Sequence, residues 1–372
     1  MLVGTLLLAA CGDDDSTATT APPETAAPET TAVPESTAAV ETTVADTEGS
    51  HDVAHSDTST EYPLTIDNCG YELTFEKAPE RVLIMNGTSV AEVETFIALG
   101  LEDHILANSQ SYGQSDVEGM VEKIAALPTG DITLNENFEV PREQILALEP
   151  DLVISTWSGG FSESMGSITR DELQSLGINS YVTPVNCAYG AESPRPEDQE
   201  RYDSQTYEAS FELVEEIAMI FDVQHEAEHF LEHAREDIEA IAPASADPAH
   251  VLVAYPGMGV SVEVPMVFAG PLVDSIIEAA GGVNAFDGVP SFNDGAMINA
   301  EALAAADVDV LMVGLFFPGE SAADYAAQIF AQFPQWDAAK NNAFVAVSDS
   351  FYLGPYNAVG ITKIADAIAA LG

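Results

Sequence analysis

The chain has 372 residues, enough for two lobes once a tail is set aside, and carries 62 Asp and Glu against 10 Lys and Arg, a formal charge of −52. A surface this acidic repels nucleic acid and anionic membrane surfaces, so both are excluded as partners, and its self-repulsion points to the screening of a saline medium. Of three cysteines, Cys11 closes an apolar start, while Cys69 and Cys187 fall where the chain folds; in an exported protein those two read as one disulfide.

Leu2 to Ala10 is an apolar run far shorter than the roughly 20 residues of a membrane-crossing helix, so it reads as the core of a signal peptide. Leu8-Ala9-Ala10-Cys11 resembles a bacterial lipobox, in which the Cys11 thiol receives a diacylglyceryl group and becomes the mature terminus. No Lys or Arg precedes Lys77, which points to a start upstream of Met1 or to a weak signal. Residues 12–61 are Thr, Ala, Pro, Glu and Asp in short repeated units such as Ala27-Pro28-Glu29-Thr30; a segment so polar and charged is expected to be a disordered, extended stalk. His51 and His55 near its end would hold metal weakly.

From Tyr62 the pattern alternates strands with amphipathic helices. Leu64–Ile66 and Leu73–Phe75 flank the turn Asn68-Cys69-Gly70, a hairpin signal. Val82–Met85 predicts a buried strand, followed by Asn86-Gly87-Thr88-Ser89 and a helix stopped by Gly100. Ile105–Ala107 predicts a strand, Ile145–Leu148 a helix ending before Pro150, and Leu152–Ser155 a strand. Tyr207–Ile241 reads as one or two helices joining two halves. A second set follows: strands at Val251–Ala254, Val310–Val313 and Phe344–Val347, with helices at Leu272–Ala280 and Val359–Leu371. The expected fold is α/β, two lobes with central, mostly parallel sheets. The expected divisions are a signal peptide with lipidated Cys over 1–11, the stalk over 12–61, a first lobe over 62–205, linking helices over 206–241 and a second lobe over 242–372.

Ligands of open α/β sheets sit at the carboxyl ends of strands and in clefts between domains. The loops after the predicted strands therefore supply the candidate ligand-binding residues: Asn86, Thr88, Tyr112, Trp157, Ser158 and Phe161 in the first half, and Tyr255, Met258, Phe316, Tyr352 and Tyr356 in the second. Trp157 and Tyr255 are the preferred pair, because aromatic faces suit large organic-shelled ligands. Arg170, Arg195 and Arg201 are the cations to weigh against an anionic ligand, and surface ion pairing is the favoured reading of each. Without an arginine in the cleft, a neutral or cationic ligand is the better expectation. His225, His229 and His233 repeat every four residues on one helical face; a solvated face is favoured over a metal site there, and no metal is expected. No G-x-S-x-G elbow, Walker loop or strand-ending G-x-G-x-x-G occurs, and catalysis is not expected.

Four segments in order carry a resemblance. They are Tyr62-Pro63-Leu64-Thr65-Ile66 through Lys77-Ala78-Pro79-Glu80-Arg81-Val82; Leu99-Gly100-Leu101-Glu102-Asp103-His104-Ile105; Leu146-Ala147-Leu148-Glu149-Pro150-Asp151-Leu152-Val153-Ile154; and Ile277-Glu278-Ala279-Ala280-Gly281-Gly282-Val283-Asn284. Over residues 62–372 the chain thereby resembles the iron-siderophore and cobalamin class (class III) of ABC-transporter periplasmic substrate-binding proteins, in lipoprotein form. The resemblance implies two lobes joined by a long, rather rigid helix, a shallow cleft and little closure. It implies an Fe(III)-siderophore as ligand, with haem or cobalamin as alternatives, and no cofactor. It also implies delivery by a monomer, anchored only through its lipid, to an ABC permease and its ATPase; a ligand-sensing receptor is the competing role. Glu122 and Glu278 are the residues the resemblance implies for permease docking.

Overall fold

The computed structural model describes residues 59–372 apart from 88, 111–113, 242–245, 260, 263 and 349–350, with the side chains of 292 and 293 also left out. Cys11, the expected stalk up to residue 58, Thr88 and Tyr112 lie outside the described residues.

The hairpin forms as the turn chemistry requires. Strands β1 (Leu64–Asn68) and β2 (Tyr71–Phe75) pair antiparallel with Leu64 opposite Phe75, and both central turn residues, Cys69 and Gly70, have positive φ, the condition of a type I′ turn. Cys69 is bonded to Cys187 at a Cα separation of 5.2 Å, which ties the hairpin to the loop beyond β6. Asn68 reinforces the tie: its side chain donates to Val182 O and accepts from Val182 N.

The first lobe is built on four parallel strands, β3 (Val82–Ile84), β4 (Ile105–Asn108), β5 (Leu152–Ser155) and β6 (Asn179–Val182), in the order β4-β3-β5-β6. β3 and β5 are buried along their whole length, as continuous apolar runs in a sheet covered on both faces should be. The second lobe holds β7 (His250–Tyr255), β8 (Met266–Phe268), β9 (Val283–Asn284), β10 (Val310–Leu315) and β11 (Phe344–Ser348), in the order β11-β10-β7-β8, with β9 also on β7. All pair parallel except β8, which runs against β7. Each sheet carries one hydrophobic cluster on each of its two faces.

Two helices, Glu208–Phe221 and Gln224–Glu239, connect the lobes, in place of the single long helix implied by the resemblance. The break is at Asp222, whose φ of 58° ends the first helix in a left-handed cap. The folded part also begins earlier than residue 62. Thr60, expected in the stalk, donates from its N–H to Asp222 Oδ1 (2.6 Å) and from Oγ1 to Met219 O (2.6 Å), and accepts from Gln224 Nε2. Three bonds fix a polar residue that composition alone assigns to disorder. Among the described residues, no helix is long and apolar enough to cross a membrane.

Candidate functional site

A cavity of about 480 Å³ opens between the lobes, lined from both sides by loops that leave the carboxyl ends of the strands. From the first lobe come Asn86 and Gly87 after β3, Leu134 and Phe138 from the connection before β5, Asn186 and Tyr189 after β6, and Tyr202 from the helix Pro196–Asp203. From the second come Met258 after β7, Met266 and Phe268 on β8, Phe316 and Phe317 after β10, and Tyr352 after β11. Among the described residues, no Lys, Arg, Asp or Glu lines it. Its described lining is uncharged in a chain of charge −52.

Local chemistry sets each wall. Gly87 is required because a Cβ there would lie 2.1 Å from Thr156 Oγ1, so only glycine lets the β3 loop pass over β5. Phe138 is 72% exposed at a φ of 61°, a conformation that bulky side chains seldom take. It is held by Asn86 Nδ2 donating to Phe138 O (2.7 Å) and by Asn135, which closes the turn through Phe138 N to Asn135 O (3.0 Å) and Glu139 N to Asn135 Oδ1 (3.1 Å). Tyr189 and Tyr202 are stacked with centroids 5.8 Å apart and planes 8° apart. On the opposite side, Glu320 Oε2 accepts from the backbone N–H groups of Phe316 (2.6 Å) and Phe317 (2.7 Å), fixing both rings. Burial raises the phenols of Tyr189, Tyr202 (to about 12) and Tyr352, so all three present neutral O–H groups.

Of the residues expected at the ligand, the structure brings Asn86, Met258, Phe316 and Tyr352 to the cavity. Thr88 and Tyr112 lie outside the described residues, and the remaining five stand elsewhere. Tyr255 is fully buried; its ring stacks on Phe268 at 4.2 Å and its O–H donates to Ser348 O, so it backs the wall that Phe268 forms. Trp157 stands one layer behind Tyr189, with ring centroids 5.1 Å apart. Ser158 donates to Cys187 O, and Phe161 belongs to the first-lobe core. Tyr356 packs on Phe230 in a separate cavity against the helix Gln224–Glu239.

None of the three arginines reaches the cavity. Arg170 is buried, donates to Asn68 Oδ1, Ser180 Oγ and Ser180 O, and covers the Tyr71 ring at 4.2 Å; burial lowers it to about 10, and it stays charged. Arg195 pairs with Asp67 and Asp198, and Arg201 with Glu212. Glu122 and Glu278 are exposed on the helices Met120–Ala126 and Pro271–Ala279.

Leu134, Phe138, Asn186, Tyr189, Tyr202, Met266 and Phe268 were not anticipated. Asn186 and Tyr189 obey the strand-end rule and become visible once β6 is recognised; Phe138 has no local signal. The helix Gln224–Glu239 also carries two overlapping zinc-type patterns that bear on His225, His229 and His233. His225-Glu226-Ala227-Glu228-His229 fits H-E-x-x-H, and His229-Phe230-Leu231-Glu232-His233 fits H-x-x-E-H. The His229 and His233 rings meet at 4.7 Å, but among the described residues no three ligating groups converge to hold a metal.

Two lobes, parallel sheets and a cleft at the strand ends define a solute-binding protein of the class III type. The chain belongs to the periplasmic binding protein family, whose profile matches residues 88–350. A solved structure from the ABC-type Fe3+-hydroxamate transport system of Saccharomonospora viridis is 22% identical, with a TM-score of 0.61 over 82% of this chain and 99% of its own. The petrobactin-binding protein YclQ of Bacillus subtilis is 16% identical, with a TM-score of 0.57 over 82% and 98%. The periplasmic heme-binding protein RhuT of Roseiflexus sp. RS-1 is 21% identical, with a TM-score of 0.54 over 78% and 98%. No curated protein sequence matches. Family membership implies an extracytoplasmic location and a small-molecule ligand.

Proposed function

We propose that this protein captures a ferric chelate with an uncharged or cationic organic shell, of the hydroxamate type, and delivers it to an ABC permease while tethered by lipid on Cys11. The lining of the cavity carries this reading. Aromatic and thioether side chains offer dispersion and stacking to an organic shell, and the neutral Tyr and Asn groups offer hydrogen bonds that fix its orientation. A ferric catecholate or carboxylate, carrying net negative charge, would meet no Arg or Lys to offset its desolvation. Haem is the second reading, favoured by the Met258 and Met266 thioethers, of a type that ligates haem iron.

The test is quenching of Trp157 emission in the Trp336→Phe protein, where Trp157 is the sole tryptophan, by ferrichrome, ferric enterobactin, haemin and cyanocobalamin in turn. Saturable quenching by ferrichrome at micromolar concentration and none by ferric enterobactin is the expected outcome; the reverse order sinks the reading. For transport over sensing, charge reversal at both Glu122 and Glu278 should slow uptake in cells and leave chelate affinity unchanged.

A further inference from the structure

Glu139 is a buried carboxyl next to the cavity-lining Phe138 in the first lobe, and its surroundings do not suit a carboxylate. It is 4% exposed, and its Oε2 is fully enclosed without a hydrogen-bond partner. On its N-terminal side it is bonded to Phe138, the strained ring that lines the cavity, and its own N–H and C=O close the Asn135 turn that holds that ring. On its other side it interacts with the Trp157 side chain, whose ring supports Tyr189 and, through it, the stacked Tyr202. One side chain is therefore in contact with the supports of both aromatic walls.

We infer that Glu139 is a positioning residue for the ligand, holding Phe138 and Tyr189 in place only while its carboxyl carries a proton, so that ligand affinity is linked to pH. The inference rests on the reading of this cavity as the ligand site. A neutral carboxyl can stay enclosed with one weak partner, whereas a carboxylate in the same place demands water or donors that the packing denies it. Ionisation is relieved by drawing solvent into the turn 135–139 and past Trp157, which displaces both walls.

The charges around it agree. Burial raises the Glu139 carboxyl to about 8, opposed only by the hydrogen bond from Trp157. Arg142, at the head of the next helix, is turned to Glu172 and Glu143. Tyr189, behind Trp157, is itself raised by burial and stays neutral through this range. Among the described residues, no cation acts on Glu139 to favour its ionised form.

The experiment has two arms on the full chain carrying Trp336→Phe. In the ligand-free protein, Trp157 emission should titrate with a midpoint between about pH 7 and 9, and Glu139→Gln and Glu139→Met, both neutral, should abolish that transition. A parent without the transition, or variants that keep it, overturns the inference. In the second arm, affinity for ferrichrome, which has no group titrating in this range, should fall about tenfold between pH 7 and pH 9.5 in the parent and stay level in Glu139→Gln, as a linked ionisation requires. Equal affinity at both values in the parent overturns the coupling. If ferrichrome fails to bind at any pH, the chelate reading falls while the emission arm still decides for or against the titration of Glu139.

Discussion

Each half of the cavity rests on a glutamate, and the two glutamates are used in opposite ways. In the second lobe Glu320 is half-buried and fully engaged: Oε2 takes two backbone N–H groups and Oε1 the Tyr325 O–H at 3.0 Å, with Gly257 opposite because a Cβ there would sit 1.8 Å from Oε1. The bonds it accepts are what hold the backbone of Phe316 and Phe317. In the first lobe Glu139 is more deeply buried, with one oxygen unpartnered, and it supports its wall only while the carboxyl is neutral. A satisfied carboxylate makes a rigid clamp; an unsatisfied one makes a wall whose position depends on a proton.

The comparison can be broken at three places. The largest effect is expected from the staple under the first lobe. Cys69→Ser with Cys187→Ser releases a link across 118 residues and should lower the unfolding free energy by about 4 kcal/mol. Chemical denaturation with and without reductant checks this, and a parent insensitive to reductant would contradict it. Next is Glu139→Gln. Because burial moves the folded carboxyl from its ordinary 4.5 up to about 8, the folded state keeps a proton that the unfolded chain sheds. That stabilisation is complete below pH ~4.5 and is lost progressively up to pH ~8. The variant should match the parent near pH 4 and exceed it by about 2–4 kcal/mol at pH 9, measured by denaturation at both values. Smallest is Glu320→Ala, which removes three accepted hydrogen bonds at a cost of about 1–3 kcal/mol. It should weaken chelate binding by a similar factor at pH 7 and pH 9.5. A loss that grows with pH would erase the distinction between the two glutamates.

Much of the fold was legible because its main strands are continuous apolar runs. Val82–Ile84, Leu152–Ser155, Val251–Ala254 and Val310–Val313 are buried on both faces and announce themselves by composition. β6 begins Asn179-Ser180 and was missed; its polar residues are satisfied by tertiary partners such as Arg170, which no local pattern encodes. The short antiparallel β8 was missed as well, and with it Met266 and Phe268. At the site, the strand-end rule found the right loops but not the right layer. Tyr255 closes β7, and the pleat sends its ring against β10, where Gly314 leaves room: a Cβ there would lie 2.3 Å from that ring. Whether a strand-end aromatic faces ligand or core is settled by its neighbour's size on the adjacent strand, which sequence distance does not reveal. The resemblance supplied the class III architecture, and its single connecting helix is the part that Asp222 divides.

That division has a mechanical side. Thr60 is fastened to Asp222, Met219 and Gln224, and Tyr62 donates to Ile220 O, so the polypeptide enters the folded module where the two connecting helices meet. A pull on the chain just before Thr60 would therefore load this joint first.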